Sequence, residues 1–373
     1  MDESRNQAVA TDGASAPPNG LSPTRRLWLR LRQNRTAMVG LYLLAGLYLA
    51  SIFAGFLAPY RYDTSDTQRP FHYPMLTAIR FFDAEGNLSR PFVYGTEVVD
   101  RELKTYREDR TKRYPVRLFT RGDEYHILWL LRSNRHLFGV DAPGRVFLFG
   151  SDQMGRDIFS RLLYGAQVSL SIGIVGILIS TVIGVLIGGI AGYFGGLTDF
   201  ILMRCVEVLL ALPSLYFILI LRNVFARSLS TLQLYFLMVI ILALIGWAMQ
   251  ARVIRGMVLS LKEREYVQAA RALGFSNWRI ITRHILPNTF SLVIVTATLS
   301  VPFYILSEVA LSFLAVGIQE PEASWGNMLT AAQNIGVLKD FPWMLTPGLF
   351  IFLTVMAWNF LGDGLRDAAD PRG

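Results

Sequence analysis

The side chains able to do acid–base, nucleophilic or metal chemistry are few in this sequence, and their spacing argues against each kind. The four histidines, His72, His126, His136 and His284, are scattered and make no metal-ligand spacing. The single cysteine, Cys205, lies inside an apolar run, so it forms no disulfide within one chain and no Cys/His zinc pattern. No Ser-His-Asp or Cys-His constellation suggests itself. No G-x4-G-K-[ST] run occurs, so the chain has no phosphate cradle for ATP. Glu207 and Glu308 fall in long apolar stretches, where ionisable groups are functional candidates by default. Two isolated acids do not make a proton relay, and Arg204, at i,i+3 to Glu207, favours a local ion pair near a membrane interface.

What remains is the chemistry of contact. Residues 265–288 read EYVQAARALGFSNWRIITRHILPN, basic and helix-forming between two apolar runs. Tyr266, Ala269, Ala270 and Leu273 recur at helical spacing, and Gly274 breaks the helix. Ser276 can cap a second helix, carrying Trp278, Ile281 and Ile285 and ending at Pro287, which lacks the next backbone donor. Ala269 and Ala270 expose little side chain, so another protein's backbone can approach closely there. A second charged constellation lies in GSDQMGRDIFSRLLYGAQVSL, residues 150–170. Ile158, Phe159, Leu162 and Leu163 share one helical face, and Asp157 and Arg161 stand at i,i+4 on another. That pattern suits a helix lying at the membrane surface.

These constellations need positioning elements, and apolar run length supplies them. Of 373 residues 52% are hydrophobic and only 17% charged, with the apolar excess gathered in long segments. The net charge of +8 does not imply a nucleic-acid partner, because in such a chain the placement of Lys and Arg matters more than their sum. Residues 1–20 are rich in Ala, Ser, Pro, Gly and Asn and are expected to be disordered. No early apolar h-region marks a cleavable signal peptide. Arg25, Arg26, Arg30, Arg32 and Arg35, interleaved with Leu27, Trp28 and Leu31, form either an interfacial amphipathic helix or a solvated positive flank.

Six spans follow, at 36–58 and at about 166–191, 199–221, 232–249, 289–316 and 343–361. The expected organisation is a cytoplasmic tail 1–35, a first helix 36–58, an extracytoplasmic insert 59–149, a core 150–361 and a cytoplasmic tail 362–373. The loop 252–287 carries Arg252, Arg255, Lys262, Arg264, Arg271, Arg279 and Arg283, which places it and both termini in the cytoplasm. The fold class is therefore all-α, a six-helix membrane protein with a small α+β or β-rich insert between helices 1 and 2. In the insert, 116–120 and 146–149 are expected as short strands, Asp141-Ala142-Pro143-Gly144 as a hairpin turn and Arg121-Gly122-Asp123 as a tight turn. Gly176, Ser180, Gly184, Gly188 and Gly192 recur every four residues, a ladder for close helix approach either within this chain or to a partner. Pro213 kinks the third span, and Trp325 and Trp343 are expected at the membrane interface.

Three motifs carry a resemblance. Residues 265–288 resemble the E-A-A-x3-G-x9-I-x-L-P loop of membrane subunits of ABC importers, with Ala269, Ala270, Gly274, Leu286 and Pro287 in register, Gln268 in place of Glu and His284 in place of Ile. Asp152, Gly155, Arg156, Asp157, Ser160, Arg161, Tyr164, Gly165 and Ala166 match the G-T-D-x-x-G-R-D-x-x-S-R-x-x-Y-G-A-R signature of its oligopeptide/dipeptide branch. Residues 317–329, GIQEPEASWGNML, resemble that branch's G-x-Q-P-P-x-P-S-W-G-x-M-L segment, with Glu320 and Glu322 departing from it or varying within it. The resemblance covers residues 21–58 and 146–373 and implies a C-type permease subunit, not an enzyme. It implies coupling through Gln268, Ala269, Ala270, Arg271, Gly274, Leu286 and Pro287, and a surface helix at Asp152, Gly155, Arg156, Asp157 and Arg161. It implies as partners a second, different permease, two cytoplasmic ATPase subunits that hold the ATP and Mg, an extracytoplasmic solute-binding protein and membrane lipid. This chain then binds no cofactor itself and sits in a bacterial-type plasma (inner) membrane, passing peptides. Other cargoes of the branch are nickel, glutathione or sugars. A proton-coupled secondary transporter would need no such loop and usually shows internal repeats, which are not evident here. A membrane-anchored enzyme with its site in 60–149 lacks any nucleophile–base motif there.

Overall fold

The computed structural model describes residues 23–82, 86–127, 131–225 and 229–370; the compositionally biased segment 1–20 lies outside them. The basic segment becomes helix α1 (Pro23–Gln33), followed at once by α2 (Arg35–Ile52). Asn34 separates them, its side chain accepting a hydrogen bond from the Ala37 amide as an N-cap. A single turn, α3 (Ala54–Leu57), ends the run, and the chain enters the insert. It returns in α4 (Ile158–Phe194), then α5 (Gly196–Ala211), α6 (Ser214–Phe225), α7 (Thr231–Leu261), α8 (Glu265–Ala272), α9 (Asn277–Ile280) and α10 (Leu286–Phe313). Short α11 (Trp325–Met328) and α12 (Ile335–Asp340) precede the last helix, α13 (Thr346–Ala369).

Five of these helical runs are long and apolar enough to cross a membrane. The pair α5–α6 passes the same test together, giving up to six, and is bent by 91° around Leu212 and Pro213, because proline cannot continue the hydrogen-bond ladder. Inside α5, Arg204 Nη1 donates to Glu207 Oε2 at 2.6 Å, so the local ion pair expected there is present.

Close backbone approach sets how the spans lie. A Cβ at Gly184 would sit 2.6 Å from Gln250 Cβ, one at Gly188 2.4 Å from the Ala251 carbonyl oxygen, and one at Gly192 2.8 Å from Val258 Cβ. Ser180 Oγ donates to the Ala243 carbonyl at 3.0 Å and accepts from the Tyr304 hydroxyl at 2.6 Å. The small-residue ladder is therefore spent within this chain, against α7 and α10. The paired residue numbers rise together, so α4 and α7 run parallel. Ser169 against Glu308, Gly173 against Ile305 and Gly176 against Tyr304 set α10 antiparallel to α4, and Gly362 against Leu299 brings α13 beside α10. Gly40 against Ala357 and Gly364 against Ala37 bring α2 and α13 together, with Leu31 of α1 buried beside them. Arg30 Nη1 donates to the Asp370 carbonyl at 2.8 Å. The described chain thus begins and finishes at one end of the bundle, the end that carries α8 and α9. The insert and the α10–α13 loop lie at the other. Trp325 is fully buried there, its indole donating to the Leu162 carbonyl at 3.0 Å; the interfacial place expected for it is wrong.

The insert holds two antiparallel sheets among the described residues: β1 (Arg80–Phe82), β2 (Leu88–Asp100) and β3 (Thr105–Pro115) in one, β4 (Arg117–Ile127) and β5 (Leu131–Gly139) in the other. Residues 146–149 are not a strand, although Met75 N and Leu76 N donate to the Phe147 and Leu148 carbonyls. The Asp141–Gly144 turn exists, but the segments flanking it do not pair, because β5 pairs with β4. Arg121-Gly122-Asp123 lies inside β4 at a register shift rather than in a tight turn, and Asp123 accepts from Arg61 N and Thr64 Oγ1.

His72 fastens the insert to the approach to α4. Its amide donates to Ser151 Oγ at 2.8 Å, and the Ser151 amide donates back to the His72 carbonyl at 2.9 Å. The ring is fully buried between the rings of Tyr73, Tyr106 and Phe147, and burial pushes its pKa down to about 4. An unfolded imidazole protonates near pH 6.5, so between these values the unfolded state binds more protons and stability falls as pH falls. Over acidification from pH 7.5 to 5 the His72 contribution is expected to weaken the insert by about 2 kcal/mol, against an opposite contribution from the raised carboxyl of Asp157, so the comparison with His72→Gln isolates it. Hydrogen exchange over 72–100, corrected for its intrinsic pH dependence, measures this; His72→Gln is expected to flatten the slope.

Candidate functional site

The end at which the described chain begins and finishes is built on α8. Arg264 starts the helix, and Gly274, at φ +76°, ends it in a backbone conformation that costs a side-chain-bearing residue energy. The helix has two faces. Val267 and Ala270 are buried with Tyr193, Ile254, Val258, Ile280, Ile281 and Ile285. Tyr266, Ala269 and Leu273, at i, i+3 and i+7, face out together, Leu273 being 73% exposed. Trp278, 61% exposed, extends that apolar surface from α9. Ala270 therefore does not offer a small face to a partner; it packs the chain's own core, and Ala269 alone of the two alanines is available.

Arg271 lies over the Tyr193 ring at 5.1 Å, and the Tyr193 hydroxyl donates to Asn277 Oδ1 at 2.8 Å, which ties both short helices to the end of α4. Ser276 caps α9 as expected. The second helix does not end at Pro287. A π turn, Ile281–Ile285, carries it straight into α10, and Pro287 falls at the junction, where the irregular π turn precedes it. Leu286 packs toward Gly189 of α4. Gln268 is exposed, its side-chain amide donating to the Lys262 carbonyl at 3.2 Å and the Glu263 carboxylate at 3.4 Å. Gln268→Glu would set two carboxylates side by side, but in water that costs less than about 1 kcal/mol. Uptake by this variant is expected to stay within about twofold of the unsubstituted chain.

At the opposite end, residues 150–161 do not form a separate surface helix. Asp157 caps α4 itself, its Oδ2 accepting from Ser160 N at 2.7 Å and Ser160 Oγ at 2.6 Å. The Asp157–Arg161 pair is not made: capping occupies Asp157 Oδ2, its Oδ1 is buried without a hydrogen-bond partner, and Arg161 turns to Glu320 and Asp152 instead. Asp157 is buried, and that burial pushes its carboxyl up to about 7. Ahead of it, Asp152 Oδ1 accepts from Met154 N and Arg156 N, folding a turn that needs Gly155 at φ +73°. A Cβ at Gly155 would meet the Asp66 carbonyl at 1.9 Å. This turn aims Arg156 inward, where its Nε donates to Asp152 Oδ2 at 2.6 Å. Arg161, 1% exposed, donates from Nη1 to the Tyr62 carbonyl at 3.1 Å. Glu320 closes the group: Arg156 Nη2 reaches its Oε1 at 3.0 Å, and Arg161 Nη2 reaches its two oxygens at 3.1 and 3.2 Å. Glu320 was missed by sequence reasoning as a functional residue. The signal available was its departure from the family segment, a charged residue where proline is usual.

A family model described as the binding-protein-dependent transport system inner membrane component matches residues 184–372. The chain belongs to that family. A second model, the N-terminal TM domain of oligopeptide transport permease C, matches residues 22–74. The permease is 34% identical over 369 residues to the dipeptide transport system permease protein DppC of Bacillus subtilis, covering 98% of this chain and 91% of that one. It is 41% identical over 242 residues to the oligopeptide transport system permease protein OppC of the same organism, covering 64% and 77%. With OppC of Haemophilus influenzae it shares 44% over 227 residues, covering 60% and 70%. The permease is a multi-pass membrane protein and a transport subunit rather than an enzyme, and its family works with an ATPase and a binding protein.

Proposed function

We propose that this permease passes short peptides, di- and oligopeptides, handed over by an extracytoplasmic binding protein. Its similarity to a dipeptide permease along nearly the whole chain carries this reading. ATP and Mg belong to two cytoplasmic ATPase subunits, which dock on the outward face of α8, Gln268, Ala269 and Leu273, and on Trp278. The location of that apolar face beside the dense basic loop supports the docking reading. Arg271, Gly274, Leu286 and Pro287 hold the face rather than touch the ATPase. A second, different permease completes the pathway, and exposed apolar residues on α5 and α6, such as Phe200, Ile201, Tyr216 and Ile220, leave a surface for it. Both termini and α8 lie in the cytoplasm of a bacterial-type plasma (inner) membrane, and the insert lies outside.

Uptake of labelled di- and tripeptides by the reconstituted four-subunit complex tests the substrate class; uptake of none of them by a complex that hydrolyses ATP in response to its binding protein would refute it. Cysteines placed at Arg107, exposed on β3, and Lys262 are expected to label from opposite sides of intact cells. Labelling of both from the same side would overturn the topology.

A further inference from the structure

Arg156 and Arg161 present two guanidinium groups to one carboxylate. Both arginines are buried, whereas the carboxylate they share belongs to Glu320, whose side chain is 40% exposed. All three line a cavity of about 180 Å³ at the insert end, together with Asp152, Gln319 and Asn327. The charges form two tiers. Asp152, 6% exposed, answers Arg156 from below through Nε and lies 3.8 Å from Arg161 Nε. The outer edges of both forks, Nη1 and Nη2 of Arg156 and Nη2 of Arg161, are left to Glu320. Glu320 comes from the α10–α13 loop, more than 150 residues along the chain from both arginines. Its carboxylate can therefore leave without unfolding the turn that aims Arg156, because that turn is held by Asp152, Gly155 and backbone bonds from Asp66 and Phe71, none of which involves Glu320.

We propose that Arg156 and Arg161 form a carboxylate-recognition subsite, occupied by Glu320 of the same chain until the carboxylate of an incoming solute replaces it. Planar, bidentate capture of a carboxylate is what paired guanidinium forks do best, and a buried arginine pair is costly unless one is present. Glu320 keeps the pair neutralised while the site is empty and yields it to an equivalent group. Peptides carry such a group at the C-terminus, so the link to peptides rests on the substrate reading above; the subsite itself requires only a carboxylate.

Two arms of one experiment separate these claims. The assembled complex and its Glu320→Gln variant are heated in detergent with sodium acetate or with sodium chloride at equal ionic strength. Acetate is expected to raise the Tm of Glu320→Gln by several degrees more than chloride does, and to leave the unsubstituted complex unmoved. Equal Tm values in acetate and chloride for the variant would overturn the subsite. In the second arm, uptake of alanyl-alanine is compared with that of its C-terminal amide, using the same binding protein throughout. Glu320→Gln is expected to raise the acid-to-amide ratio about tenfold, by removing the internal competitor; an unchanged ratio with both peptides transported would also overturn it. A positive acetate arm with neither peptide form transported by either complex would leave the subsite standing and refute the peptide reading instead.

Discussion

Ala269→Arg is expected to cut uptake by the assembled transporter at least about tenfold while leaving the permease folded and inserted. Ala270→Arg, one residue on, is expected to fail for the opposite reason. Ala269 faces out between Tyr266 and Leu273, so a long charged side chain there meets only water in the isolated subunit and changes its stability by about 0.5 kcal/mol or less. In the complex the same side chain would stand between α8 and the ATPase. Ala270 is 4% exposed and packed with Val267 and Ile281, so arginine there buries an unpaired charge and costs about 3 kcal/mol or more. Membrane insertion, thermal unfolding, co-purification with the ATPase and uptake, measured on both variants, distinguish the two outcomes. Normal ATPase association and uptake with Ala269→Arg would remove the outward face of α8 as the docking surface.

The second large effect is expected at Gly188. Its absent Cβ would fall 2.4 Å from the Ala251 carbonyl oxygen and 3.0 Å from Ile254 Cβ. The first of these is backbone and cannot swing aside, so Gly188→Leu must push α4 and α7 apart. Between apolar helices in lipid, close packing is the main attraction, with little hydrophobic drive to replace it. We expect a loss of about 3 kcal/mol, seen as a lowered Tm and reduced yield of folded permease. Gly256→Leu is the control: it adds the same side chain to α7 where no atom lies within 4 Å of the missing Cβ, and it is expected to be tolerated. Equal stability of the two variants would contradict the parallel α4–α7 contact.

Which features were legible in the sequence follows from the range over which each is determined. Span number came from run length, which is local, and the crossings are where the apolar stretches lie. The glycine break at Gly274 and the Ser276 cap are also local chemistry, and each is present. The faces of α8 were misjudged because Ala269 and Ala270 are chemically alike. Only the partners below the helix decide which of the two is buried. In the insert the strand expected at 116–120 falls within β4, but β3 escaped, because it is largely exposed and carries a charged run, Arg107 to Arg110, with no alternation to read. Arg156 and Arg161 were singled out by pattern, but Glu320 joins them from across the fold, a pairing that no window along the chain contains.

The fusion of α9 to α10 has a mechanical consequence. Asn277–Phe313 is a single helical run of 37 residues, about 55 Å of continuous rod at 1.5 Å per residue. A thrust delivered at Trp278 has no slack loop in which to dissipate. Near the far tip of the same rod stands Glu308, gripping Ser169 of α4 at 2.8 Å, and that serine accepts the Trp325 amide at 3.2 Å. A displacement at Trp278 would therefore be carried along one helical run, through the π turn and Pro302, toward the seat of the loop that carries Glu320.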